Sequence, residues 1–508
     1  MSNDSIQKKP PYGMIAILFI GAFVAFLNNT LMNVALPTIM KDFDVTYSQV
    51  QWITTGYMLV SGVLIPASAF FVVRFKNRNL FITAMSIFTI GTIIAALAPN
   101  FGTLLAGRMV QAAGAAAISP LLMNVMLTSF PIEKRGAAMG MFGLVMIAAP
   151  AIGPTLSGYI VEHHDWRMLF EMIIPFAVLS LLFGIWKLQN VMETRKVSLD
   201  YLSLLLSTIA FGGLLYGFSS AGDKGWSDPL VYGTISVGAI ALVIFIIKQL
   251  NMDEPLLDIS IYKYPMFALG SVISIVVSVA MFSGMILTPA YVQNVRGISP
   301  FHAGLIMLPG AVMMAFMSPI TGKLFDKFGP RILAFVGLSI MTVATYFLTK
   351  LKVDSSYAYI ISVYTVRMFG MSMVTMPIMT NGLNALPMNK NPHGTAINNT
   401  AQQVSGAIGT AILVTVMDNH IKTRATELAA DAKAKAVQAA HAAAQAGQTP
   451  SSPTAEQLAQ LKAHITQTAL LDGINYTFMI ATCISGVALI LSLFLKRVKV
   501  NKEAQVQK

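Results

Sequence analysis

LAGRMVQAAGAAAISP, from Leu105 to Pro120, sets one arginine inside an otherwise apolar stretch. Arg108 shares this segment with Gln111, Gly114 and a run of alanines. A guanidinium near the middle of a bilayer costs from about 2.5 kcal/mol on insertion scales to far more in simulations. Such a side chain must face a protein or water-filled interior, and the small residues from 112 to 117 let a neighbouring backbone approach closely. Two roles stay open for Arg108. It is either a structural donor to a neighbouring helix's carbonyls or a wall of a transport pathway beside an aqueous cavity.

The rest of the chain is as apolar as this segment requires. Its 508 residues are 55% hydrophobic and only 11% charged, with a mean hydropathy of +0.67, whereas soluble chains carry about 25% charged residues. This is a multi-pass membrane protein. The first apolar run, from Tyr12 to Pro37, lacks a small-residue cleavage site and reads as a retained span. A net charge of +12 invites a nucleic-acid partner, but most of the lysines and arginines fall in the termini and loops of one side. That asymmetry is the positive-inside pattern and argues for the lipid bilayer instead. It places both termini in the cytoplasm and the chain in the cell membrane, and it requires an even number of spans. The lone cysteine, Cys483, excludes an intramolecular disulfide.

Hydropathy divides the chain into fourteen spans, an all-α membrane fold. Residues 1–10 form a basic cytoplasmic tail, 11–190 a six-helix bundle, and 191–252 two inserted helices. A second six-helix bundle covers 253–495, with a polar outer loop at 418–472, and 496–508 form a second cytoplasmic tail. Within that loop, ATELAADAKAKAVQAAHAAAQ favours helix, TPSSPT breaks it, and AEQLAQLKAHITQTALL has the leucine spacing of a second, amphipathic helix. The loop reads as a solvated helical hairpin, with an outer docking partner as the alternative.

The two bundles repeat one another. Pro66, Arg74 and Arg78 are matched 253 residues later by Pro319, Lys327 and Arg331. Gly136 is matched by Gly394 at an offset of 258, Ala151-Ile152-Gly153 by Ala407-Ile408-Gly409 at 256, and Arg108-Met109 by Arg367-Met368 at 259. Basic residues staying in step with apolar ones point to duplication into two pseudo-symmetric halves.

Three further patterns carry chemistry. GKLFDKFGPR, Gly322 to Arg331, has glycines for a tight turn, and Asp326 beside Lys327 and Arg331 can latch helix ends. Its first-half counterpart keeps Arg74 and Arg78 but has Val73 where the carboxylate falls. A topology anchor and a cytoplasmic gate both suit these residues. AAPAIGPTLSG, Ala148 to Gly158, concentrates prolines and glycines, including Gly153, Pro154 and Gly158, in the fifth span. Proline kinks a helix and glycine permits close packing. FLNNTLMNVALP in the first span puts Asn29 and Asn33 on one helical face, and Asn398 and Gln402 form a comparable stripe in the thirteenth. These amides either join helices or bond a polar substrate. EHHD, Glu162 to Asp165, offers adjacent histidines, but metal sites draw on converging elements. No metal or cofactor is expected, and an enzyme is disfavoured.

Together these features resemble the major facilitator superfamily, and within it the fourteen-span drug:proton antiporters. RMVQAAG and APAIGPTLSG are the most specific matches, followed by DWRMLF, EPLLDISIY, SPFHAGLIMLPG and GKLFDKFGPR. FLNNTLMNVALP, TTGYMLVSGVLIP and GLLYGFSSAGDKGWSDP are similar to the lincomycin-resistance subgroup. The resemblance implies the major facilitator fold and export of lipophilic drugs in exchange for protons, with two bundles rocking about a central site. Gly153, Pro154 and Gly158 would belong to the antiporter motif, and Asn28, Asn29, Asn33, Gln111, Asn398 and Gln402 to the substrate cavity. Asn28 stands where many relatives have an aspartate, and an amide carries no exchangeable proton near neutral pH. Arg108 and Glu171, the one acid well inside a span, are therefore the expected proton-coupling pair, with a solvated place at the outer membrane interface as the alternative for Glu171. A rival reading keeps the transporter and changes the cargo to a membrane lipid, fatty acid or other endogenous amphiphile.

Overall fold

A computed structural model describes residues 12–45, 47–131, 134–192, 194–195, 197–445 and 454–498, with the side chains of Asn33 and Pro154 outside them. Most of these residues are helical, and no strand occurs among them. The first half comprises α1 (Tyr12–Asp42), α2 (Tyr47–Arg74), α3 (Asn77–Ala96), α4 (Phe101–Ser129), α5 (Arg135–His163), α6 (Met168–Glu171) and α7 (Ile173–Lys187). The inserted pair is α8 (Tyr201–Lys224) and α9 (Pro229–Leu250). The second half comprises α10 (Pro265–Ala290), α11 (Pro300–Phe328), α12 (Pro330–Leu348), α13 (Tyr357–Ser372), α14 (Thr375–Asn384), α15 (Asn391–Gln445) and α16 (Ala455–Ser492).

Among the described residues, twelve helices are long and apolar enough to cross a bilayer. Two of the fourteen expected spans are missing from that set. Of α5, only a shorter apolar segment, Arg135–Ala149, lies within the fully described residues. The expected span at 356–385 is divided into α13 and α14. Pro377 has no N–H for Met373, and its ring crowds that carbonyl, so the helix breaks at Met373 and Val374. Pro175 does the same to Glu171, and α6 ends there.

The helix boundaries follow ordinary capping chemistry. Asn100 accepts a hydrogen bond from the Thr103 N–H at 2.9 Å, and Asp228 accepts one from Leu230 ahead of Pro229. Gly329, at φ 80°, makes the sharp turn between α11 and α12 that other residues resist.

Small residues set the closest helix contacts. A Cβ on Gly91 would lie 2.7 Å from the Gln111 Cα, and one on Gly107 would lie 2.8 Å from the Ala95 N, so α3 and α4 touch backbone to backbone. Gly337 and Gly370 bring α12 and α13 together in the same way.

The halves meet along two seams, α5 against α11 and α2 against α15. The inserted pair lies over the second. Tyr216 of α8 stacks on Trp52 of α2 at 5.6 Å, while Trp226 donates to Thr415 of α15 at 2.7 Å. Ala221 of α8 and Val231 of α9 are buried against Ala411 of α15.

At the end away from the termini, α15 and α16 run on past their buried segments as a helical hairpin. Arg424 holds its base by pairing with Asp472 at 2.8 Å, and His420 stacks on Tyr476 at 4.2 Å.

Candidate functional site

Arg108 is fully buried in α4. Its Nη1 donates at 2.5 Å to Asn28 Oδ1 of α1 and at 2.5 Å to Gln111 Oε1, one turn along its own helix. Gln111 in turn donates to Thr92 Oγ1 of α3 at 2.8 Å, and Thr92 donates to the Phe88 carbonyl at 2.7 Å. The Tyr57 ring of α2 covers the guanidinium at 4.3 Å, a cation–π contact. Four helices thus converge on one cation. Its Nε and Nη2, and the Nδ2 of Asn28, have no hydrogen-bond partner. Unpaired donors on a buried charge are costly, so this cluster retains bonding capacity. In this conformation the guanidinium faces side chains, and neither cavity described below reaches it.

The sequence-predicted Asn28, Arg108 and Gln111 are therefore brought together, whereas Glu171 is not. It is exposed at the end of α6 and shares no hydrogen bond or ion pair with Arg108. Asn29 presents an unpaired Oδ1, and Asn33 falls among the side chains left undescribed. Asn398 is buried and accepts from Ser271 at 3.2 Å. Gln402 lines a small cavity of about 30 Å³ with Ser274, Ser278, Met281 and Thr375.

Thr92 and Tyr57 were not singled out by sequence. Thr92 had a signal in the repeat, because Thr345 lies 253 residues on and does the matching job. It accepts from Arg367 Nε at 3.2 Å, and Arg367 Nη2 donates to the Ala280 carbonyl of α10 at 2.5 Å. Where the first half offers the Asn28 amide, the second offers backbone. A Cβ on Gly284 would lie 2.6 Å from the Arg367 guanidinium carbon.

The second cluster closes the end that holds the termini. Asp326 of α11 accepts from the Gly136 and Ala137 N–H groups at 3.0 Å each. These are among the first N–H groups of α5, which lack partners within their own helix and carry the positive end of its dipole. The carboxylate reaches across the seam to α5 instead of to Lys327 or Arg331, both of which are exposed. Arg497 donates to the Asp326 and Lys327 carbonyls at 2.6 and 3.3 Å. Gly322 is buried against the Gly136 carbonyl, and a Cβ on Gly140 would lie 2.6 Å from the Ser318 carbonyl, so side chains have no room here. Arg78 donates to the Ile185 carbonyl at 2.6 Å, tying α3 to α7 within the first half, while Arg74 is exposed.

The glycine-rich stretch of α5 faces both neighbours. Gly153 packs on Thr30 of α1, and Ser157 donates to the Leu31 carbonyl at 2.6 Å. Gly158 packs on Phe301 of α11. Pro154 has no described side chain. At the far end, Asp42 accepts from Trp166 Nε1 at 3.0 Å and from Arg167 at 3.1 Å. These bonds, Trp166 foremost, hold its carboxyl below the usual range against a smaller opposing effect of burial. No group of three or more His, Cys, Asp or Glu able to hold a metal occurs among the described residues.

Residues 18–410 match the family description Major Facilitator Superfamily. The chain belongs to that superfamily. As a superfamily member it is a transporter and not an enzyme. It is 45% identical to the MFS-type transporter YhcA of Bacillus subtilis over 504 residues, covering 97% of this chain and 94% of the relative. It is 46% identical to the lincomycin resistance protein LmrB of Listeria monocytogenes over 411 residues, covering 81% and 87%. With LmrB of Bacillus subtilis it shares 42% identity over 490 residues, covering 96% of both. Among solved structures, the human organic anion transporter MFSD10 superposes with a TM-score of 0.62 at 12% identity, covering 94% of this chain and 100% of that one. The proton:xylose symporter XylE gives 0.61 at 14%, covering 96% of both. At such identities the likeness is one of fold.

Proposed function

We propose that this transporter exports amphiphilic drugs, lincosamide-like antibiotics among them, in exchange for protons. Fourteen spans, two pseudo-symmetric six-helix bundles and the inserted pair, would carry it by alternating access, with both termini in the cytoplasm. The observation that carries the reading is the Asp326 carboxylate on the α5 N-terminus, which joins the two halves at the end holding the termini through groups that can part. Rocking about the buried arginine clusters would break this cap, open the cytoplasmic side and admit cargo. The lincomycin-resistance relatives support the substrate class, and the basic-side asymmetry supports the orientation.

Arg108, with Asn28 and Gln111, would respond to protonation elsewhere, and Glu171 remains the proposed carrier. The exposed position of Glu171 would serve exchange with water on the outer side. The experiment is pH-gradient-driven lincomycin transport in proteoliposomes together with lincomycin susceptibility of expressing cells. Export that persists unchanged when the proton gradient is collapsed would remove proton coupling. Unaltered susceptibility and no transport would remove the substrate class.

A further inference from the structure

The two seams between the halves are finished differently. Along α2 and α15 the inserted helices form a cover. Tyr216 lies on Trp52, Gly212 of α8 packs against Val63, and Trp226 is bonded to Thr415, so α8 spans both sides of the joint. The α5–α11 seam has no such cover, because α8 and α9 pack on α2, α15 and each other.

In the half of this seam nearer His163, the helices part into a groove of about 360 Å³. It is lined by Ile152, Thr155, Leu156 and Tyr159 of α5 and by Phe301 and Leu308 of α11. That volume lies in the range of small-molecule sites. Ile152 is 42% exposed and Tyr159 50%, so the groove opens sideways to the surroundings of the spans. Its walls are apolar apart from two hydroxyls, that of the half-exposed Tyr159 and that of Thr155. The Thr155 hydroxyl is buried and has no hydrogen-bond partner. Thr155 lies eight residues before the end of α5, about 12 Å along the helix. At that depth a phospholipid presents hydrocarbon, which leaves the hydroxyl unpaired. A molecule carrying a polar atom beside an alkyl body satisfies it.

We propose that this groove binds the hydrocarbon part of an exported amphiphile, with Thr155 bonding its polar atom, and that cargo leaves sideways here into the outer leaflet. The proposal rests on the export reading given above and adds a site and a route to it. The insertion then has a directional consequence: it blocks the equivalent sideways path at α2–α15 and leaves one lateral exit.

The test uses the full chain in phosphatidylethanolamine–phosphatidylglycerol vesicles, with Thr155→Cys placed in a Cys483→Ser background. Dodecyldimethylamine N-oxide, whose oxygen can accept from a hydroxyl, is the probe, and the readout is the rate of alkylation by N-phenylmaleimide. Saturating probe is expected to slow labelling at position 155 by about fivefold or more. Labelling of Val243→Cys on α9, exposed to lipid, should be unchanged. An unchanged rate at position 155 overturns the site. A rate already slow without probe, and released only by shortening the lipid chains, assigns the groove to a resident lipid tail and also overturns it. In parallel, Leu156→Trp should lower pH-driven export of the probe about tenfold at wild-type yield and melting temperature, and full export overturns the route. Wild-type protein that exports nothing, while position 155 is still protected, sinks the export reading and leaves the binding site standing.

Discussion

Asp326 Oδ1 lies 3.0 Å from the Gly136 nitrogen, so a carboxylate from the second half of the chain caps a helix of the first. A carboxylate at a helix N-terminus contributes about 0.3–1 kcal/mol when exposed and up to about 2 kcal/mol when partly buried. Asp326→Asn keeps the shape and loses the charge. It is expected to shift the closed–open balance of this end by about twofold to thirtyfold and to lower net transport. Alkylation of a thiol introduced near Gly140 in a Cys483→Ser chain should rise correspondingly. Unaltered labelling and transport would show that the cap carries none of the gate.

A second prediction concerns the packing of α5 on α1. A Cβ at Gly153 would collide first with the Thr30 hydroxyl oxygen, which is itself held by the Leu27 carbonyl at 2.9 Å. Gly153→Ala should cost about 1–3 kcal/mol through overpacking. Adding Thr30→Ala should restore most of it, read as melting temperature in detergent. Failure of the second substitution to rescue would locate the strain elsewhere.

Asn28→Asp converts the neutral partner of Arg108 into a charged one at hydrogen-bond distance. The variant should be more heat-stable than wild type, and drug-triggered proton movement in proteoliposomes should change its pH profile. Glu171→Gln in the same assay should reduce proton movement at normal protein levels. If Glu171→Gln moves protons like wild type, that side chain is not the carrier. Arg108→Ala should abolish export in a protein that still inserts, and full export would end the role given to Arg108.

The far end supplies a pH dependence. Asp42 is held below its ordinary range by Trp166 and Arg167, while an unfolded aspartate titrates near about 3.9. Its contribution is complete above that value and disappears as pH falls through the lower folded one. Thermal stability should therefore drop more steeply below about pH 4 in wild type than in Asp42→Asn. Parallel curves for the two proteins would contradict this.

The expected duplication rests on basic anchors such as Arg78 and Arg331 that recur at offsets of 253 to 259, and Arg108 announced itself as a charge in an apolar helix. The partner of Asp326 was not legible. Its acceptor bonds run to backbone N–H groups 190 and 189 positions away, and backbone leaves no side-chain signature at Gly136 or Ala137. Thr92 was readable only by carrying the offset to Thr345. The breaks after Glu171 and near Met373 were written in Pro175 and Pro377, four residues downstream of the carbonyls they crowd, yet hydropathy averages over them. The lateral groove was hidden for another reason. Ile152, Leu156 and Phe301 look like any lipid-facing residues until two helices are seen to part between them.

The uninterrupted course of α15 has a mechanical consequence. Asn391 to Gln445 forms one rod without a joint, so its projecting stretch from Asp418 must swing with the buried stretch. About 28 residues of overhang reach roughly 42 Å, and a ten-degree tilt deep in the protein would sweep the tip by roughly 7 Å. The hairpin is in effect a pointer, on which a dye fixed near its tip would report any tilt of the buried stretch from a distance.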